Sequence, residues 1–486
     1  MVVRDLRIDR QVPEPVAQQI VTGVLDWIRQ SRVRPGTRLP SIRQLARDNQ
    51  VSHSRVIEAY DRLVAEGILE SRPGSGFFVA EQSSDASAAD KELSDGTQRG
   101  WEQFTDKSAS ELNLGCGWVP ESWREAEDIG FAIRQVTRTE MNSLFSYSTP
   151  LGLPLLRHHV QKRLELINIQ ADQAQILTTQ GASHAIDLLV RTLLKPGDSV
   201  VVESPGYYNL FNLLRLHGVK MLPVPRTRSG PDIEALERLL LEHKPVCLFI
   251  NSMYHNPTGT SLKPTVAHRL LQLAEIHDFK IVEDDTYADL QNDPSTRLAT
   301  LDSWHRVIYI ASFSKTLSCS IRIGYIVASA KLINQLAEVK MITSMGASRF
   351  GESVVATLLA NGAYRKLIQR LRERLSKHMA STLRLLEQVG WEVYAEPSGG
   401  MFIWARSGRH TFEQMQEVAV KAGVLLSPGR GYNPDKEESD WLRINVAYAG
   451  DQRASVFFNA LALKPQVNHL ESAEVINLQP TAASRI

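Results

Sequence analysis

Cysteine is scarce in this 486-residue chain: only Cys116, Cys247 and Cys319 occur, too few and too widely spaced for a disulfide framework or a zinc knuckle. A reducing, cytoplasmic setting is expected. Long apolar runs are also missing. No continuous one approaches the ~20 residues that a membrane helix needs, and the opening stretch MVVRDLRIDRQVPEPV lacks the apolar core of a signal peptide. Neither export nor membrane insertion is expected. Net charge is nearly absent at +1, but its distribution is uneven. Residues 1–80 contain twelve arginines, no lysine and nine carboxylates, whereas residues 81–111 hold three basic and eight acidic side chains. A basic head precedes an acidic tether. With 43% hydrophobic and 22% charged residues the composition is that of a folded protein, and the length calls for two or three domains.

In the head, Val16, Ile20, Val24 and Ile28 recur at every fourth position and predict a helix that ends before Arg34-Pro35-Gly36. After the loop Leu39-Pro40-Ser41, a second helix turns Ile42, Leu45 and Ala46 inward. A third, opening at Ser52-His53-Ser54-Arg55, buries Val56, Tyr60 and Leu63 and stops at Gly67. Ile68–Glu70 and Phe77–Val79 read as strands around the turn Arg72-Pro73-Gly74-Ser75-Gly76. Three helices and a hairpin make a winged helix-turn-helix, an α+β module. Such a module reads double-stranded DNA with polar and basic groups: Ser52-His53-Ser54-Arg55 opens the third helix, Arg43 projects from the second, and Arg72 stands at the wing tip with Gly74, which lets the backbone approach a phosphate.

Residues 81–111 are rich in Ser, Ala, Asp, Glu, Gly and Gln and read as a linker; residues 464–486 read as a loose tail. Between them, 112–463 alternates β-rich runs with helical patterns, which predicts an α/β domain with a mostly parallel sheet and a small α+β subdomain at about 340–463. Strands are expected at 176–179, 200–203, 246–251, 280–284, 307–311 and 323–328. Ligands in such sheets bind beyond the carboxyl ends of the strands, and chemistry-bearing residues cluster there. Gln180-Gly181-Ala182-Ser183 can hold a phosphate on the free N–H groups of Ala182 and Ser183. Tyr207 can stack on a ring, and Asn256, followed by a rigid Pro257, can donate to a phenolic oxygen. Asp284 can pair with a pyridinium and Tyr287 can donate to the same oxygen. After the strand 307–311, Ser312 and Arg322 can clamp a phosphate and Lys315 can form an imine. Together these are the parts that pyridoxal 5'-phosphate requires: an amine for its aldehyde, an acid for its ring nitrogen, donors for its phenolate and a phosphate cup.

From Pro35-Gly36-Thr37-Arg38-Leu39-Pro40-Ser41 through Ala59-Tyr60-Asp61-Arg62-Leu63 to Arg72-Pro73-Gly74-Ser75-Gly76, the head resembles the GntR family of bacterial regulators. His53 and Ser54 replace the Arg-Asn pair common in that family. Residues from about 112 to 463 resemble fold-type-I aminotransferases. That resemblance adds Tyr147, which in the family reaches the phosphate bound by the partner subunit and so implies a homodimer. It also adds Arg443, which in the family binds a substrate or effector α-carboxylate. Cys319-Ser320 stand where relatives often have Pro-Gly, with the spacing from Lys315 to Arg322 kept. The fusion is similar to the MocR subfamily, which implies a DNA-binding regulator sensing the cofactor or a small amino compound. The alternative is a working aminotransferase with an autoregulatory head.

Overall fold

The computed structural model describes residues 6, 8, 15–30, 33, 35–65, 67–72, 75–80, 111–124, 126–290 and 296–462. They belong to two units that divide between residues 99 and 100. Gly74, all of the expected linker but its last residue, and the expected tail lie outside the described residues.

The first unit contains α1 (Val16–Gln30), α2 (Ile42–Asp48), α3 (His53–Ala65), β1 (Leu69–Arg72) and β2 (Gly76–Val79). Ile20 and Val24 of α1, Leu45 of α2, Val56, Tyr60 and Leu63 of α3, and Leu69 and Val79 of the hairpin share one core. The Ser41 hydroxyl caps α2 by accepting from the Gln44 N–H at 3.2 Å. Gly67, at φ 68°, takes the left-handed conformation that turns the chain from α3 into β1. Arg72 and Gly76 are paired across the hairpin, so the turn is tighter than 72–76. Residues 36–39, of which only Leu39 falls in the expected loop, run beside β2: Gly36 N–H donates to Val79 O at 2.8 Å and Leu39 N–H to Phe77 O at 2.8 Å. Pairing there satisfies an edge that would otherwise stay open.

In the second unit, β3 (Leu112–Asn113) precedes the strands of a single large sheet: β4 (Ile176–Thr179), β5 (Ser199–Ser204), β6 (Lys220–Thr227), β7 (Gly230–Pro231), β8 (Cys247–Ile250), β9 (Lys280–Asp284), β10 (Val307–Ser312) and β11 (Gly324–Val327). Their spatial order is β4-β11-β10-β9-β8-β5-β6-β7. Side chains alternate between two cores. On β10, Val307, Tyr309 and Ala311 join one with Val201 and Ile281, while Ile308 and Ile310 join the other with Val202 and Val282. Burial on both faces is why these strands read as continuous apolar runs. Strand β6 escapes sequence reading because Pro223 and Pro225 interrupt its pattern. Two residues apart, they place both missing donors on the same edge of the strand, so the other edge pairs freely with β5.

The sheet departs from the parallel expectation at β11, which runs antiparallel to both β10 and β4. The eleven residues from 313 to 323 fold straight back rather than cross over, so β11 starts at the edge where its parallel neighbours end. A smaller sheet follows, of β12 (Glu392–Val393), β13 (Phe402–Arg406) and β15 (Leu442–Asn445), while β14 (Val424–Leu425) pairs with β3. No helix among the described residues is long and apolar enough to cross a membrane.

Candidate functional site

Strands β4, β5, β8, β9 and β10 all point the same way, so the residues that follow them share one edge of the sheet, and a cavity of 1220 Å³ opens there. Ala182, Ser183, Tyr207, Asn256, Asp284, Tyr287, Ser312, Lys315, Arg322 and Arg443 all line it. Tyr147 does not: it is 76% exposed on the surface of its own chain.

At the end of β4, Gly181 takes φ 81° and starts the helix Ala182–Leu193, whose first turn has no side-chain cap. Its free N–H groups and dipole suit an anion. A Cβ on Gly181 would stand 2.8 Å from Nη2 of Arg322, so glycine is what admits the guanidinium. Arg322, just before β11, donates to Gln180 O at 3.1 Å and to the Ser314 hydroxyl at 3.3 Å. Ser312 Oγ donates to Ile323 O at 3.3 Å and accepts from the Ser314 N–H at 3.1 Å, bracing the turn that carries Lys315.

Burial pushes the Lys315 amine below the usual lysine range, against the opposing pull of Cys319 and Asp284. Asp284, at the end of β9, accepts the Thr286 N–H on Oδ1 at 3.0 Å. Burial raises its carboxyl and Thr286 partly offsets the rise. Burial also raises the Tyr207 and Tyr287 phenols, so both keep their protons as donors. Tyr207 lies edge-on to Tyr208 at 5.5 Å, and Tyr287 edge-on to Phe402 at 5.4 Å.

Asn256 is orientated by its neighbours. Its Oδ1 accepts from Arg443 Nη1 at 2.7 Å, which leaves the amide N–H groups as the free end. Beneath this loop, Glu203 is ion-paired with Arg226 and accepts the Asn251 N–H at 2.8 Å. Burial alone would raise the Glu203 carboxyl, but the Arg226 guanidinium holds it at about 2. Arg443 donates to Gly115 O at 2.6 Å and lies 4.4 Å over the Phe402 ring.

Sequence reading passed over Gly117, although a glycine two residues from another at the start of a domain is a signal for close approach. A Cβ there would lie 3.4 Å from Lys315 Nζ and 3.7 Å from Arg443 Nη2. Tyr432, 5.1 Å from the Arg443 guanidinium, had no local signal at all.

In the head, Arg43, Ser52, Ser54, Arg55 and Arg72 are exposed. Arg55 pairs with Glu58 at 3.1 Å, Ser52 and Ser54 share a 3.0 Å hydroxyl contact, and Arg72 sits 4.5 Å over Phe78. Arg38 was missed as a candidate: it is exposed, and its Nε lies 3.7 Å from where a Cβ on Gly76 of the wing would be.

Residues 16–79 match the bacterial regulatory proteins of the gntR family, and residues 109–461 match aminotransferase class I and II. The chain is 28% identical over 467 residues to YdfD of Bacillus subtilis strain 168, named an HTH-type transcriptional regulator, covering 93% of this chain and 96% of that one. It is 28% identical over 435 residues to the HTH-type transcriptional regulator NorG of Staphylococcus aureus USA300, covering 85% and 96%. Among solved structures, Pyrococcus horikoshii kynurenine aminotransferase superposes with TM-score 0.70 at 27% identity over 76% of this chain and 95% of that one. LysN, the α-aminoadipate aminotransferase of Thermus thermophilus, superposes with TM-score 0.66 at 25% identity over 74% and 97%. The chain therefore belongs to the aminotransferase class I and II family and carries a gntR-family helix-turn-helix domain ahead of it, a fusion consistent with the MocR subfamily.

Proposed function

We propose that this protein is a cytoplasmic transcription regulator whose head binds a promoter operator in double-stranded DNA and whose aminotransferase-like domain senses pyridoxal 5'-phosphate, or an amino compound that reacts with it, at Lys315. The observation that carries the reading is the meeting of Lys315, Asp284, Asn256 and the uncapped Ala182–Ser183 helix start around one cavity at one sheet edge. The donor set fits the cofactor group by group. Ala182, Ser183, Ser312 and Arg322 would hold the phosphate, Asp284 the ring nitrogen, Asn256 and Tyr287 the phenolic oxygen, and Tyr207 the ring face. When bound, the cofactor supplies an electron sink at the carbon that bears the amine. The chain's own part is to keep the buried Lys315 amine neutral enough to react, to hold the acid at Asp284, and to anchor an α-carboxylate at Arg443.

A ligand regulates only by binding two conformations unequally, and exchange of the amine at Lys315 would free that side chain and reorder its neighbours. In the same reading, Tyr147 serves a partner's phosphate in a homodimer. Its 76% exposure, beside Phe145 at 81% and Met141 at 54%, is what supports this. Residues 1–80 would be the DNA-binding domain, 81–111 the linker, 112–463 the sensor with its small subdomain from about 340, and 464–486 a tail. Arg43, Ser52, Ser54, Arg55, Arg72 and Gly74 would contact DNA. The relatives named as transcriptional regulators favour control over a working aminotransferase with an autoregulatory head.

Two measurements test this. Purified protein given pyridoxal 5'-phosphate gains a visible absorption band that borohydride bleaches, and Lys315→Ala never acquires it. Labelled promoter DNA is bound with an affinity that falls steeply with salt. A chain that stays colourless overturns the sensor, and salt-insensitive or absent DNA binding overturns the regulator.

A further inference from the structure

Among the described residues three guanidinium groups line the cavity, and each bonds only to neutral acceptors there. Arg322 donates to Gln180 O and the Ser314 hydroxyl. Arg443 donates to Gly115 O and Asn256 Oδ1. Arg124 donates through Nη2 to Val119 O and to the Cys319 thiol, both at 3.4 Å, and its buried Nε has no partner among the described residues. Buried arginines elsewhere in this domain are neutralised: Arg226 by Glu203, Arg297 by Asp285. Among the described residues no carboxylate pairs with any of the three cavity arginines, and each is a standing demand for an anion.

The function proposed above uses two of them, with a phosphate at Arg322 and an α-carboxylate at Arg443. Arg124 is left over. The 3.4 Å contact to Val119 O lies beyond good N–H···O length and a thiol sulfur is a weak acceptor, so the guanidinium is held in place but not satisfied. The segment leading to it runs along the cavity: Gly117 faces Lys315 and Arg443, and Val119 accepts from Arg124. Through the same Nη2 the arginine also reaches Cys319, four residues beyond Lys315, the position where relatives often carry Pro-Gly. Val119, Ile129 and Leu317 add apolar lining suited to methylenes. At 1220 Å³ the cavity exceeds the usual ~300–1,000 Å³ of a single-ligand pocket, so a second molecule fits beside the cofactor.

We propose that Arg124 recognises a second acidic group on the amino compound, so that the effector is an acidic amino acid with its amine at Lys315, its α-carboxylate at Arg443 and its distal carboxylate at Arg124. This rests on the sensor reading above.

The full chain, loaded with pyridoxal 5'-phosphate, is titrated with L-aspartate, L-asparagine, L-glutamate, L-glutamine and L-alanine, and dissociation constants are taken from the visible spectrum and by calorimetry. At least one acid is expected to bind about tenfold tighter than its amide, the worth of one charge-assisted hydrogen bond. Arg124→Gln should erase that preference and leave L-alanine within about twofold of the parent, while Arg124→Lys should keep part of it. If L-alanine binds but neither acid exceeds its amide, or if Arg124→Gln weakens all five alike, the assignment of Arg124 is overturned and the sensor reading stands. If no amino acid perturbs the spectrum of the loaded protein, the assignment of Arg124 falls and sensing of the cofactor itself stands; if the cofactor never loads, both fall.

Discussion

Single residues carry much of the proposed chemistry, and the glycine at 181 shows how. Its φ of 81° is strained for any side chain, and a Cβ would press on Arg322 at 2.8 Å. Gly181→Ala is expected to cost about 1–2 kcal/mol of stability by thermal melting. It should also weaken cofactor retention by about tenfold or more in dialysis, because it moves the phosphate-facing helix start and Arg322 together. A second residue-scale test concerns Lys340, fully buried, which donates to Pro150 O at 3.0 Å beside the buried Glu352. Burial lowers its amine from 10.5 to about 8. Between those two values the unfolded chain binds the proton that the folded chain has released, so this residue adds stability as pH rises through the window, at about 1.4 kcal/mol per unit of separation. Urea titrations from pH 8 to 10.5 should show that rise in the parent and a flatter profile in Lys340→Met.

At the scale of elements, the proposed DNA contacts rest on α2, capped by Ser41, and on the exposed start of α3. Loss of the Ser41 cap in Ser41→Ala should cost about 1 kcal/mol and lower DNA affinity with it, since α2 carries Arg43. The Arg55–Glu58 pair is solvent-exposed and worth little, so Arg55 is free to turn to a phosphate. Arg55→Ala is therefore expected to reduce the slope of log affinity against log salt by about 1 in fluorescence anisotropy, with the fold unchanged by circular dichroism. On the sensor side, reversal of β11 is the element-level feature that matters most. A parallel β11 would begin at the far edge and carry Arg322 away from the helix start at Ala182. Nothing in the local pattern of residues 323–328 distinguishes the two directions, because a buried strand reads the same either way.

For the molecule as a whole, the exposed aromatic and apolar group of Phe145, Tyr147 and Met141 is held by a buried polar knot. Glu352 accepts from the Ser148 hydroxyl and, at 3.1 Å, from the Leu153 N–H, and Lys340 ties down Pro150. Such backing keeps an exposed loop in one shape, as a subunit contact needs. Sedimentation should give twice the chain mass, and Phe145→Asp should shift it toward monomer and loosen cofactor retention if Tyr147 serves the partner's phosphate.

The head and the strand-end motifs were legible in advance because each rests on short-range physics: apolar periodicity, a cap, a glycine turn, a polar residue straight after a buried run. Lys315, Asp284, Asn256 and the Ala182–Ser183 turn are all of that kind. Arg124 was not, since its meaning comes from Cys319, 195 positions away, nor was Tyr432, whose contact with the Arg443 guanidinium no local pattern marks; Gly117 carried a local signal, but its partners Lys315 and Arg443 are set by the fold. Sequence alone determined which local elements form and which reactive groups stand at their ends, because helix and strand patterns are written in neighbouring residues. Tertiary structure alone decided strand direction, the occupant of Asn256 Oδ1 and the gathering in one cavity of three guanidinium groups that no carboxylate among the described residues neutralises, because charge balance belongs to an enclosed space and not to a stretch of chain.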